Sequence, residues 1–148
     1  MIEINNLTTV EVDEVLIKKI IKAVLSGEKA DTDNNVSVAF IGPGRMAKLN
    51  RVYRKKKRVT DVLSFSGSKV GFGKFKIGPT EKMQGLGEIV VCLREVTKNA
   101  RKQSTDFDAE LKKVIIHGVL HLLGYDHEKS EPEAEKMEQK QENYIKTT

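Results

Sequence analysis

Residues 114–127 read VIIHGVLHLLGYDH, and this stretch decides the fold. From Val114 to Leu123 it is apolar on every face apart from two histidines. A helix with no polar face is buried, so this one is expected at the centre of the domain. Buried imidazoles cost free energy unless each finds a partner. His117 and His121 are four residues apart and share one helix face. Two imidazoles one turn apart can reach a single cation, with Zn–N distances of about 2.0–2.1 Å. Gly124 suits the helix stop because it tolerates the left-handed backbone. The chain then turns through Tyr125 and Asp126, and His127 can swing back as a third ligand. The three histidines of the chain all fall in these eleven positions, 117–127.

Three neutral nitrogens and an open position are the arrangement of a catalytic metal. Structural zinc sites are usually closed by four ligands, often cysteine, and this chain has only Cys92. The candidate ligands are therefore His117, His121 and His127, around one Zn²⁺. Imidazole donors suit Ni or Fe as well, so the ligand set leaves the metal open. Asp126 is readable either as a partner that orients a ligating histidine or as a turn residue. Gly118 removes a side chain beside His117, which lets a strand or a substrate approach closely. The spacing HxxxHxxGxxH is also that of metzincin proteases, but those need a glutamate after the first histidine, and Gly118 stands there.

Working outward, Thr105 and Asp108 give a capping-box signal for a helix over about 108–123. Strands are expected at Ile2–Leu7, Val36–Ile41, Val62–Phe65 and Gly87–Leu93. Asp13 can cap a helix running to Ser26, with Gly27 as its stop. In that helix Leu16, Ile17, Ile20, Ile21 and Val24 recur at helical spacing. Further helices are expected over about 45–54, 94–103 and 131–145, the first following the break Gly42-Pro43-Gly44. This is a mixed α/β order with a modest sheet. Cys92 lies in an apolar run and reads as a buried, inert thiol.

Charge points to a polyanion. The chain carries 26 Lys and Arg against 21 Asp and Glu, and the tail from Glu128 to Thr148 is net negative, so the body is more basic than the whole. Residues 45–58, RMAKLNRVYRKKKR, hold eight basic residues and no acidic one. Leu49, Val52 and Tyr53 would anchor that run to the fold, and fixed Arg and Lys with an aromatic make a phosphate-backbone footprint. Arg54 can neutralise charge on a reacting phosphorus, since its planar fork fits phosphate oxygens. Lys69, Lys74, Lys76 and Lys82 extend the basic character through the glycine-rich segment 67–86, where Phe72 and Phe75 suit hairpin packing first and stacking on unpaired bases second. There is no basic start with a long apolar stretch at the N-terminus and no run of about 20 apolar residues, so a cytoplasmic protein is expected.

LeuAsnArgValTyrArg from Leu49, ThrAspValLeuSerPhe from Thr60, GlyGluIle from Gly87 and the histidine motif, in that order, resemble the YbeY family. The resemblance implies a compact α/β (α+β) fold with a mixed four-stranded sheet and a central helix carrying HxxxH. With the helices read above, that makes about five helices in one domain, residues 1–148. It implies a metal-dependent endoribonuclease of ribosomal RNA maturation, notably of the 3′ end of 16S rRNA in the small ribosomal subunit, and of ribosome quality control. By position, His117, His121 and His127 correspond to metal ligands, Arg54 to the basic residue tied to activity, and Lys56 to a neighbouring substrate-binding position. Lys57 and Val59 depart from the aspartate and proline common in the family, and the segment before GlyGluIle is basic where it is often acidic. Single-stranded RNA fits such a site best, because a loop or tail can enter a narrow cleft. Two other classes are expected to compete: a zinc peptidase, and a non-catalytic ribosome-associated RNA-binding protein with a structural zinc.

Overall fold

The structure is a computed structural model that describes residues 2–31, 35–53, 62–66 and 85–148. Among the described residues it has four strands and five helices: β1 (Ile2–Asn6), α1 (Glu14–Gly27), β2 (Val36–Ile41), α2 (Pro43–Tyr53), β3 (Val62–Ser66), β4 (Gly87–Cys92), α3 (Leu93–Lys102), α4 (Phe107–Leu122) and α5 (Glu131–Thr147). The strands form one mixed sheet in the order β1-β2-β4-β3. β1 runs parallel to β2, and β2 parallel to β4, with Val38 opposite Ile89. β3 is antiparallel to β4, with Leu63 opposite Val90. The expected four-stranded α+β architecture is the one observed.

Both central strands are buried along their whole length, because both faces of the sheet are covered. Side chains alternate across a strand. Val36, Val38, Phe40, Ile89 and Val91 join one core with Ile17, Ile20, Ile21 and Val24 of α1 and Val114, Ile115 and Val119 of α4. Ala39, Ile41, Val90 and Cys92 form a second core with Met46 and Leu49 of α2. The wholly apolar reading of α4 holds: Val114, Ile115, Ile116, Gly118, Val119, Leu120 and Leu122 are all buried. Cys92 is buried as expected, and burial raises its thiol pKa.

Local signals set the helix ends, with some differences from expectation. Asp13 caps α1, accepting from the Leu16 amide at 3.1 Å. α4 is capped by Asp106 and not by Thr105; its carboxylate accepts from the Ala109 amide at 2.7 Å. α2 begins two residues before Arg45, because proline suits the first turn of a helix, where no amide hydrogen is needed. Leu49 is buried but Val52 is 44% exposed, so Leu49, Met46 and a buried Asn50 seat α2 while Val52 does not. α1 ends at Gly27, as expected, though without a left-handed backbone there. A Cβ there would land on the Tyr144 phenol of α5, so the glycine makes room for a packed ring. Among the described residues no helix is long and apolar enough to cross a membrane.

Gly118 is where α4 meets the sheet. A Cβ there would stand 2.9 Å from Ile89 Cγ2 in β4, and the Ser64 hydroxyl of β3 donates to the Gly118 carbonyl at 3.3 Å. The close approach is therefore to a strand. Gly118→Ala is expected to cost about 1–3 kcal/mol by overpacking, read as a lower unfolding midpoint in urea with an unchanged slope. A midpoint within error of wild type would mean that Ile89 moves aside freely.

Candidate metal centre

α4 presents His117 and His121 one turn apart, as their spacing predicts, both half-buried. The helix then ends: the Gly124 amide donates to the His121 carbonyl and the Tyr125 amide to the Leu120 carbonyl, each at 3.1 Å. Gly124 takes φ +104°, a left-handed backbone that favours glycine. The turn brings His127 back, so that one ligand nitrogen from each ring lies within 4.8 Å of the others. The ring centroids are 4.5, 5.3 and 5.0 Å apart. His127 is exposed, which leaves the cluster accessible from one side.

The hydrogen bonds fix how the rings present themselves. His121 Nδ1 lies 2.8 Å from the Tyr125 carbonyl oxygen. That oxygen can only accept, so Nδ1 carries the proton and Nε2 keeps its lone pair. His117 Nδ1 lies 2.8 Å from Gln141 Oε1 of α5, with the same consequence. The two unprotonated Nε2 atoms then face each other at 3.0 Å. Two lone pairs repel at that distance unless a cation lies between them, and two nitrogens each about 2.0–2.1 Å from one ion stand roughly 3 Å apart. The donor set therefore fits a divalent transition metal. Burial, and then the neighbouring His117 and His127, lower the His121 pKa to about 4, so its ring is neutral and available at pH 7.

Asp126 resolves as a turn residue: its carboxylate accepts from the Glu128 amide at 2.9 Å. The partners that orient the ligands are the Tyr125 carbonyl and Gln141. Neither was picked out from sequence. A carbonyl has no side-chain signal, but Gln141 had one, since it stands between Met137 and Tyr144 on the buried stripe of α5. Arg54 and Lys56 lie outside the described residues, as do Lys57, Val59 and the Lys69, Phe72, Lys74, Phe75, Lys76 and Lys82 positions.

The profile of the family described as Endoribonuclease YbeY matches residues 3–148. An Endoribonuclease YbeY of Bacillus thuringiensis is 36% identical over 120 residues, 81% of this chain and 77% of its own. One from Bacillus cereus is 35% identical over the same shares. The solution structure of a Thermotoga maritima protein superposes with a TM-score of 0.59 at 31% identity, covering 98% of this chain and 87% of that one. Sheet, central helix and histidine cluster thus sit in a chain of the hydrolytic endoribonuclease class. The chain belongs to the YbeY family. The peptidase and non-catalytic readings find no support in these matches.

Proposed function

We propose that residues 1–148 form one metal-dependent endoribonuclease domain that cuts single-stranded RNA in the cytoplasm, in rRNA maturation and ribosome quality control. The substrate would be the 3′ end of 16S rRNA in the small ribosomal subunit. The observation that carries the reading is the approach of His117 Nε2 and His121 Nε2 to 3.0 Å, with a third histidine on the exposed side. Family membership and the basic balance of the chain support RNA as the substrate.

His117, His121 and His127 would hold one divalent ion, Zn²⁺ by ligand type, with Ni²⁺ an alternative. When bound, such an ion supplies Lewis-acid polarisation of a phosphate oxygen or a water. The Tyr125 carbonyl and Gln141 keep the protons of His121 and His117 on Nδ1, away from the ligating side. Arg54, helped by Lys56, would bind the phosphodiester and offset the charge that builds on it. Attack by the RNA 2′-hydroxyl leaves a cyclic phosphate and attack by water does not, so the product ends identify the nucleophile.

The test is cleavage of a labelled single-stranded RNA by wild type, by chelated protein, by chelated protein with Zn²⁺ restored, and by Arg54→Ala. Chelation is expected to stop cleavage and zinc to restore it. Arg54→Ala is expected to slow it about a hundredfold, the scale of losing one donor to a developing anion. Equal rates in all four samples, or cleavage of peptide without RNA, would overturn the reading.

A further inference from the structure

Glu28, just past the end of α1, lies in none of the sequence motifs. Its side chain is only 9% exposed. The Tyr125 hydroxyl donates to its Oε1 at 2.5 Å. The Tyr144 hydroxyl donates to Oε2, and the Lys140 ammonium pairs with that oxygen at 3.2 Å. Burial alone would raise its pKa, but the two phenols and the ammonium outweigh burial and lower it, so Glu28 is a carboxylate.

Tyr125 is the residue whose carbonyl accepts the hydrogen bond from His121 Nδ1. Lys140 and Tyr144 flank Gln141 on α5, and Gln141 Oε1 accepts the hydrogen bond from His117 Nδ1. One carboxylate thus ties together the turn and the helix that aim two of the three histidines. The glycine at 27 belongs to the same arrangement, because a side chain there would displace the Tyr144 ring.

We propose that Glu28 is a positioning residue for the three-histidine site, fixing at once the turn that orients His121 and the helix that orients His117. This rests on the metal-binding reading above. It follows that losing the tether loosens the ligands, even though neither Glu28 nor any phenol is itself a ligand. Groups that orient metal ligands typically change affinity by about 10–100-fold.

The test is Zn²⁺ affinity by competition with a chromophoric chelator, together with the unfolding midpoint with and without Zn²⁺. It compares wild type, His121→Ala, Gln141→Ala, Glu28→Gln and Tyr125→Phe. The last keeps the backbone carbonyl and removes only the tether, so it serves if Glu28→Gln does not fold. Both tether variants are expected to bind Zn²⁺ about tenfold more weakly, and the rise in midpoint that Zn²⁺ gives should shrink accordingly. A merely structural Glu28 would lower the midpoint equally with and without Zn²⁺ and leave affinity within twofold of wild type, which overturns the proposal. If wild type and His121→Ala bind Zn²⁺ alike, the metal reading itself fails, and the proposal with it, in a pattern distinct from the failure of the tether alone.

Discussion

His121→Ala is expected to reduce RNA cleavage to background and to weaken metal binding by more than about a hundredfold, beyond the loss typical of an orienting partner. The reason is geometric. His121 is half-buried, its Nδ1 is committed to the Tyr125 carbonyl, and its Nε2 faces the partner nitrogen of His117 at 3.0 Å. Removing the ring leaves His117 and His127, two donors on different elements, and frees the turn that His121 anchors. It also removes the Nε2–Nε2 contact that, with both Nδ1 atoms protonated, calls for a cation between the rings. The metal-free variant should therefore stay folded, since α4 keeps its buried apolar face. The measurement is the metal retained per chain after dialysis, taken beside cleavage of single-stranded RNA and far-ultraviolet circular dichroism. A folded variant that keeps one equivalent of metal and full cleavage would sink the three-histidine site.

How far the sequence carried this reading follows from the range of the interactions. α4 and its ligands were legible because everything that defines them is local: a wholly apolar run, two histidines one turn apart, and a glycine at the stop. The close approach at Gly118 was legible too, though only the fold says that Ile89 of β4 is what approaches. Strand order was not, because β1-β2-β4-β3 and the antiparallel run of β3 depend on pairing between distant segments. Helix ends were misread where two capping residues compete, as with Thr105 and Asp106. Glu28 was invisible because its phenol partners lie 97 and 116 positions away. Val52 failed as an anchor because helical rotation, not composition, decides which apolar residue of α2 meets the sheet.

The second large effect concerns Glu88, the acid of the GlyGluIle motif. It is fully buried on β4, on the sheet face covered by α2, opposite Ser37 of β2 and Phe65 of β3. Neither carboxylate oxygen has a hydrogen-bond partner among the described residues, and the Ser37 hydroxyl makes no bond of normal geometry. Burial, weakly opposed by Ser37, raises the Glu88 pKa from 4.5 to about 8. The fold therefore holds the neutral acid while the unfolded chain would ionise above pH 4.5. The sign follows: the contribution to stability is fully present below pH 4.5 and is lost as pH rises toward 8. At roughly 1.4 kcal/mol per pH decade the loss reaches at most about 5 kcal/mol, comparable to the whole stability of a marginal domain. Glu88→Gln keeps the shape and cannot ionise. Its unfolding free energy in urea is expected to stay level between pH 5 and pH 8 relative to the falling wild-type curve, so the variant gains most at pH 8. Parallel curves for the two proteins would mean that Glu88 meets a cation in the native protein and is charged there. In that event the GlyGluIle acid would be half of an ion pair on the α2 face, and its removal would destabilise the fold at every pH above 5 instead of stabilising it.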